Sequence, residues 1–337
     1  MKTNIALIVL VLLLMALNML VGSVDIPAEQ VVNALLGKPV EKQSWVYIVT
    51  ESRLPQTITA MLCGASLAVS GLVLQTLFHN PLAGPSILGI TNGASLGVSI
   101  VMLACGGVIG VGAVTGGETF SIGGFFAIII GAFVGAMAVI MLIMAFATFI
   151  RGTLMLLIIG IMVGYLTSSV VSLLYLFANA DNVHSFAMWG MGSFSDVSRE
   201  QMPWFSGVCC LSLAIAVLLI KPLNILQLGD SYATSLGINV HRTRRHLLLV
   251  TGLLTATSTA FCGPVAFIGL AVPHIARLIV RTSNQKTLLP ATLLLGSVVA
   301  LLCNIICVLP SNMIVPINAV TPIFGAPVIL YIICKKR

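Results

Sequence analysis

Between Leu54 and Gly117 the chain carries no Asp, Glu, Lys or Arg, and further uncharged runs cover 119–150, 152–180, 182–195, 201–220, 246–276 and 287–334. A soluble domain of this size needs about 25% charged residues to cover its surface. Here 7% of 337 residues are charged and 58% are hydrophobic. Hydrocarbon, unlike water, tolerates such a surface. Each helical crossing takes roughly 20 mostly apolar residues, so several runs hold two crossings and about ten fit. The expected fold is all-α, a polytopic membrane protein of about ten transmembrane helices in one domain over 1–337.

The runs place spans near 4–22, 54–75, 86–106, 122–148, 153–178, 201–220, 247–262, 266–281, 290–308 and 316–334. With the N-terminus in the cytoplasm, the inner segments hold twelve of the sixteen Lys and Arg residues. The outer ones hold Lys38, Lys42, Arg53 and Arg199, and of the nine acids Asp230 alone falls inside. Basic residues gather on the cytoplasmic side of membrane proteins, which puts both termini there. The pI near 9.1 then reports topology, not binding to nucleic acid. The first segment, MKTNIALIVLVLLLMALNMLVGS, also has the layout of a secretory signal. Its apolar core is longer than a signal core, and its removal would invert the remaining spans, so it is read as span one.

Chemistry-bearing constellations are absent from the sequence. It has no G-x-x-x-x-G-K-[ST] phosphate loop, no H-E-x-x-H and no paired carboxylates. An ion-coupled carrier usually buries acids or lysines in its spans, and these spans hold almost none. His274 is the most interior ionisable group, read as capping a helix end. The eight cysteines lie in or beside apolar segments without a CxxC pair, the usage of small buried hydrophobes. The chain thus offers a pathway without an energy source: it is expected to be no enzyme and to bind no cofactor, and energy must come from a partner.

Three polar segments interrupt the apolar pattern. On the inside, 221–246 (KPLNILQLGDSYATSLGINVHRTRRH) predicts a short helix from Asp230 to Leu236. Gly229-Asp230-Ser231 would cap it, Gly237 would stop it, and Arg242, Arg244 and Arg245 would meet lipid headgroups. Such a helix reads as a docking surface for a cytoplasmic partner. On the outside, Pro27–Leu36 is amphipathic, and Arg53 stands at the mouth of span two, as a headgroup anchor or as a contact for an acidic partner. The third, Phe78–Gly93 (FHNPLAGPSILGITNG), is a helix breaker without charge, read from the residues as a connecting turn or as a lining of a narrow pore.

Ordered motifs carry a resemblance over essentially the whole chain: R-L-P at 53–55, G-A-S-L-A-V-S-G at 64–71 with Gln75, and N-P-L-A-G-P-S-I-L-G at 80–89. W-G-M-G-S-F at 189–194, L-G-D-S-Y-A-T-S-L-G at 228–237, G-P-V-A-F-I-G-L-A-V-P-H-I-A-R at 263–277 and F-G-A-P-V at 324–328 follow. Together they resemble the FecCD family, the permease subunits of ABC importers for ferric siderophores, haem and cobalamin. The resemblance implies a multi-pass permease of the cell inner (plasma) membrane, working as a homodimer with the pathway on its axis. Two copies of a cytoplasmic ATPase subunit would bind below and a periplasmic or surface substrate-binding protein above, with membrane lipid around.

The resemblance also assigns residues. The ATPase-coupling segment would comprise Leu228, Gly229, Asp230, Ser231, Ala233, Leu236 and Gly237. The cytoplasmic gate would comprise Asn80, Pro81 and Leu82, with Gly152 and Thr153 at the start of span five. Arg53 would dock the binding protein. The family's other two docking arginines are missing, because their places hold Gln56 and Val308, the latter in Cys303-Asn304-Ile305-Ile306-Cys307-Val308. Lys38, Lys42 and Arg199 are candidate substitutes. Its E-L-P-x-G reads Ile314-Val315-Pro316-Ile317-Asn318. Residues 54–178 and 247–334 suggest inverted repeats, each with a small-residue run before a Pro-bearing turn. The expected cargo is an iron chelate, with cobalamin as the alternative and an ion-coupled secondary transporter as the reading from another class.

Overall fold

A computed structural model describes residues 2–104, 122–149, 153–309 and 315–335. Its elements are α1 (Lys2–Leu20), α2 (Ala28–Leu35), α3 (Gln43–Tyr47), a π-helical turn (Ile48–Arg53), α4 (Leu54–Leu77) and α5 (Ile90–Ser99, prolonged by a π turn to Ala104). Then come α6 (Ile122–Phe149), α7 (Thr153–Phe177), α8 (Ala180–Met191), α9 (Met202–Leu218), α10 (Ile220–Leu226) and α11 (Asp230–Ser235). The chain closes with α12 (Val240–Cys262), α13 (Ile268–Val280), α14 (Gln285–Val308) and α15 (Ile317–Lys335).

Helices occupy all ten expected positions, but they differ in reach. Among the described residues, α1, the continuous stretch Gln43–Leu77, α6, α7 and α14 are long and apolar enough to cross a membrane, and α9 with α10 makes a sixth, bent by 53°. Ile90–Leu103, Ile268–Val280 and Ile317–Ile329 are shorter. Gly89 adopts a left-handed conformation just before α5, and Gly263, also at positive φ, separates α12 from α13. Three arginines open α12, so its hydropathy is low although it runs 23 residues.

α4 is the centre of the bundle, with 89% of its most apolar stretch buried and α14, α12, α13 and α9 packed around it. Its small residues make this possible. Lipid gives helices no hydrophobic reason to associate, so contact rests on close van der Waals approach and interhelical hydrogen bonds. Gly64 of α4 lies against Gly296 of α14, and Gly71 against Gly269 of α13. In the same way Gly93 and Gly97 of α5 meet Gly135 and Gly131 of α6, two small-xxx-small stripes face to face. A methyl on any of these glycines would collide with backbone opposite. Ser70 Oγ bonds Thr255 Oγ1 at 2.9 Å and Ser297 donates to the Met61 carbonyl, tying α4 to α12 and α14.

α1 rests on α14, with Ile5, Val9, Leu12 and Leu13 exposed on its far side. One buried polar chain crosses this contact. Asn18 donates to the Leu301 carbonyl, Asn304 donates to Asn18 Oδ1 at 2.7 Å, and Gln56 donates to Asn304 Oδ1 at 3.0 Å. Five of the seven described cysteines are buried, while Cys210 and Cys334 are exposed.

Candidate functional site

The expected short helix is α11, and its stop signal works as the sequence indicates. Gly237, at φ +80°, donates to the Thr234 carbonyl and Ile238 to that of Ala233, a paired C-terminal cap that needs a left-handed residue. Its start differs from expectation, because Gly229 caps without any side-chain bond. Asp230 instead accepts from Arg244 of α12 at 2.9 Å. Arg244 therefore does not meet lipid headgroups: its side chain is 5% exposed and turned inward, whereas Arg242 and Arg245 are exposed. A carboxylate in the first helical turn also suits the positive end of the helix dipole.

Ala233 faces inward, fully buried, and fixes which side of α11 looks out. Tyr232 on α11, with Leu228 before it and Leu236 after it, is more than half exposed, as are both leucines, and the three are spaced four residues apart. Ser231 and Thr234 flank them. Among the described residues nothing covers this apolar patch. Tyr232 is the member that motif matching leaves out; its i, i+4 spacing to Leu228 and Leu236 is the signal that exposes it.

α11 springs from α10, and α10 is bound to the turn after α4. α4 ends in a left-handed cap at His79, φ +47°, whose N–H donates to the Thr76 carbonyl while Asn80 N–H donates to that of Gln75. Asn80 then folds an Asx turn, its Oδ1 accepting from Leu82 N at 2.9 Å and its carbonyl accepting from Ala83 N. Two imidazoles hold this turn. His79 Nε2 bonds the Leu226 carbonyl of α10 at 2.9 Å, and His274 Nε2 of α13 bonds the Pro81 carbonyl at 2.8 Å. His274 thus braces the turn from mid-helix and does not cap a helix end. Beneath it Arg277 donates to Gln75 Oε1 at 2.7 Å and Gln75 to the Leu270 carbonyl. Asn224 of α10 accepts from the Gln285 backbone N–H.

Pro81 and Leu82 are exposed while Ala83, Gly84 and Pro85 are buried, so the tip of the turn projects and its base is packed. Beside that base, Leu67, Gly84–Ile87, Val265–Phe267, Gly269 and Leu270 line a cavity of about 220 Å³. Pockets for drug-sized ligands take about 300–1,000 Å³, so this space is too small for a chelated cofactor. Gly152 lies outside the described residues, and Thr153 is the first residue of α7.

At the opposite end of the bundle, Arg53 is 4% exposed. Its guanidinium donates to the carbonyls of Met19 at 2.9 Å and Leu20 at 3.0 Å, and also to that of Val24. Those carbonyls lie at and just beyond the end of α1, where helical partners run out. The geometry is that of a clamp across α1, not of a free charge at an outer mouth, and this replaces the reading of Arg53 as a surface contact. Two of the candidate substitutes are also engaged. Arg199 pairs with Glu51 at 2.8 Å, and Lys42 lies 5.1 Å from the Trp45 ring centre. Gln56 and Asn304 bond each other. A neutral amide contact stands at Gln56, one of the two places where the resemblance puts an arginine.

A second convergence joins separate motifs at this end. Asn318 donates to the carbonyls of Gly190 and Pro264 and accepts from the Ala266 N–H. The W-G-M-G segment and the Gly263 break are thus tied to the start of α15.

The FecCD transport family matches residues 8–335. The chain belongs to the FecCD transport family. The FecCD relatives include the vitamin B12 import system permease protein BtuC of Citrobacter koseri, 34% identical over 297 residues, covering 86% of this chain and 83% of that protein. BtuC of Salmonella arizonae is 33% identical over 296 residues with the same coverage. A solved structure of an ABC transporter assigned to the metal-chelate type, in an inward-facing conformation, superposes with a TM-score of 0.85. It is 27% identical and 99% of each chain is covered.

Proposed function

We propose that this FecCD protein is the transmembrane permease subunit of an ATP-driven importer and that its cargo is a corrinoid of the vitamin B12 type. The observation that carries the transport mechanism is the continuous link from α11 through α10 to the turn at 80–82. A partner that moves the Leu228–Tyr232–Leu236 patch moves the segment hydrogen-bonded to that turn. In this reading Leu228, Gly229, Asp230, Ser231, Ala233, Leu236 and Gly237 form the ATPase-coupling element. Asn80, Pro81 and Leu82, with Gly152 and Thr153, form the cytoplasmic gate. ATP and Mg stay in the ATPase subunits, and alternating access follows from rigid-body movement of closely packed helices.

Two copies of the chain enclose the pathway. α7 supplies a suitable wall: Tyr165, Ser168, Ser169 and Ser172 are exposed on one face of an otherwise apolar helix. The hydroxyls of Ser169 and Ser172 are bonded to backbone carbonyls of their own helix. Such a face is weakly polar and suits a bulky solute that must be released. Ten crossings with both termini in the cytoplasm, one domain with inverted repeats at 54–178 and 247–334, and insertion in the inner membrane complete the proposal.

The names of the curated relatives favour cobalamin over the iron chelate that the family resemblance alone put first. A ferric chelate is the second reading, favoured by the metal-chelate assignment of the structural neighbour. Uptake of radiolabelled cyanocobalamin into proteoliposomes holding permease, ATPase and binding protein decides between them. The expected result is accumulation suppressed by unlabelled cobalamin and untouched by ferric hydroxamates. Accumulation of an iron-labelled ferric hydroxamate with none of cyanocobalamin would overturn the corrinoid reading.

A further inference from the structure

The left-handed position that closes a helix usually holds Gly, or sometimes Asn, because a Cβ there costs free energy. α4 closes on His79 at φ +47°. The imidazole makes use of that strained backbone. From this position Nε2 reaches the Leu226 carbonyl at 2.9 Å, across a sequence separation of 147 residues. Leu226 is the last residue of α10, and its carbonyl also accepts from Gly229 N–H at 3.1 Å. Gly229, at φ +102° with open space where a Cβ would lie, is the joint between α10 and α11. His79 therefore grips α10 at the hinge from which the coupling helix departs, one residue before the gate turn begins.

The other bonds of this arm lead away from the gate turn. Asn224 joins α10 to the start of α14, and Asp230 joins α11 to α12 through Arg244. On its other side the turn is held to α13 by His274. We propose that His79 is the positioning residue that transmits displacement of the coupling arm, 220–235, to the gate turn, 80–82, by holding the Leu226 carbonyl. The assignment rests on the gate and coupling roles given above.

The test uses the complex with its ATPase in lipid nanodiscs and a Leu82→Cys reporter. Labelling by a membrane-impermeant maleimide is followed with and without ATP plus vanadate, the parent protein serving as control for Cys210 and Cys334. The readout is the ratio of labelling rates with and without ATP plus vanadate, compared at equal trapping of nucleotide. His79→Gly deletes the ring and at the same time suits the left-handed backbone, so its thermal midpoint should not fall. His79→Gln keeps a donor of similar reach. The expected outcome is a loss of about fivefold or more in the ratio for His79→Gly, with recovery of most of it in His79→Gln. An unchanged ratio in His79→Gly would overturn the role of His79 alone. A Leu82→Cys reporter with no nucleotide dependence even beside native His79 would overturn the gate reading, and the His79 assignment with it.

Discussion

Arg53→Ala separates a clamp from a docking contact. The native guanidinium bonds three carbonyls at the end of α1. Hydrogen bonds involving a charged group are worth about 1.5–3 kcal/mol each when singly removed. Their sum is an upper bound, because carbonyls freed at the bundle's end regain water. Loss of favourable charge at a helix C-terminus adds roughly 0.3–1 kcal/mol. A total near 3 kcal/mol is the working figure, and at about 2 °C per kcal/mol for a chain longer than 150 residues it lowers the unfolding midpoint by about 6 °C. Arg53→Lys, with a compact ammonium in place of the fork, should lose about half as much. Gly22→Ala offers an independent route, since a Cβ there would lie 2.7 Å from the guanidinium carbon. Thermal unfolding in detergent reads these midpoints, and affinity for the binding protein is measured on the folded fraction at two salt concentrations. The clamp predicts destabilisation with affinity changed less than about twofold and no altered salt dependence. An unchanged midpoint with docking lost, and lost most at low salt, would refute it.

Three further outcomes follow from the same geometry. Tyr232→Ala, combined with Leu228→Ala, should weaken ATPase association about tenfold or more without changing the permease midpoint, read by co-purification and titration. Gly97→Leu should destabilise by about 1–3 kcal/mol through collision with Gly131, lowering the yield of monodisperse protein, while an exposed change such as Leu166→Ala should not. Asn304→Asp alone puts an acid into a buried contact and should cost about 2 kcal/mol or more. Adding Gln56→Arg should recover part of that loss in a double-mutant thermal cycle, because the two side chains touch at 3.0 Å.

Helix positions and the short helix α11 were legible because each rests on local chemistry. Uncharged runs mark lipid contact, and Gly229 and Gly237 bracket the seven residues that hold α11. What escaped depended on partners distant in sequence. Arg53 reads as a mouth charge until α1, about thirty residues earlier, is seen to end beneath it. Arg244 reads as a headgroup contact until Asp230 is found against it. α8 and α10 were missed for a different reason: one is too polar and the other too short to carry a hydrophobic period, and Pro222 within KPLNIL argues against a helix. His79 was visible only as part of a helix breaker, because its function lies in a backbone angle and a carbonyl 147 residues away.

In the proposed mechanism this FecCD chain supplies a gated pathway and a partner supplies the energy. The measurement is labelled-cyanocobalamin accumulation in proteoliposomes, comparing the permease alone under an imposed proton or sodium gradient with the permease, ATPase and binding protein under ATP. The account predicts accumulation in the complete, ATP-fed system and none by the permease alone. Accumulation by the permease alone under the gradient, without ATP, would contradict it.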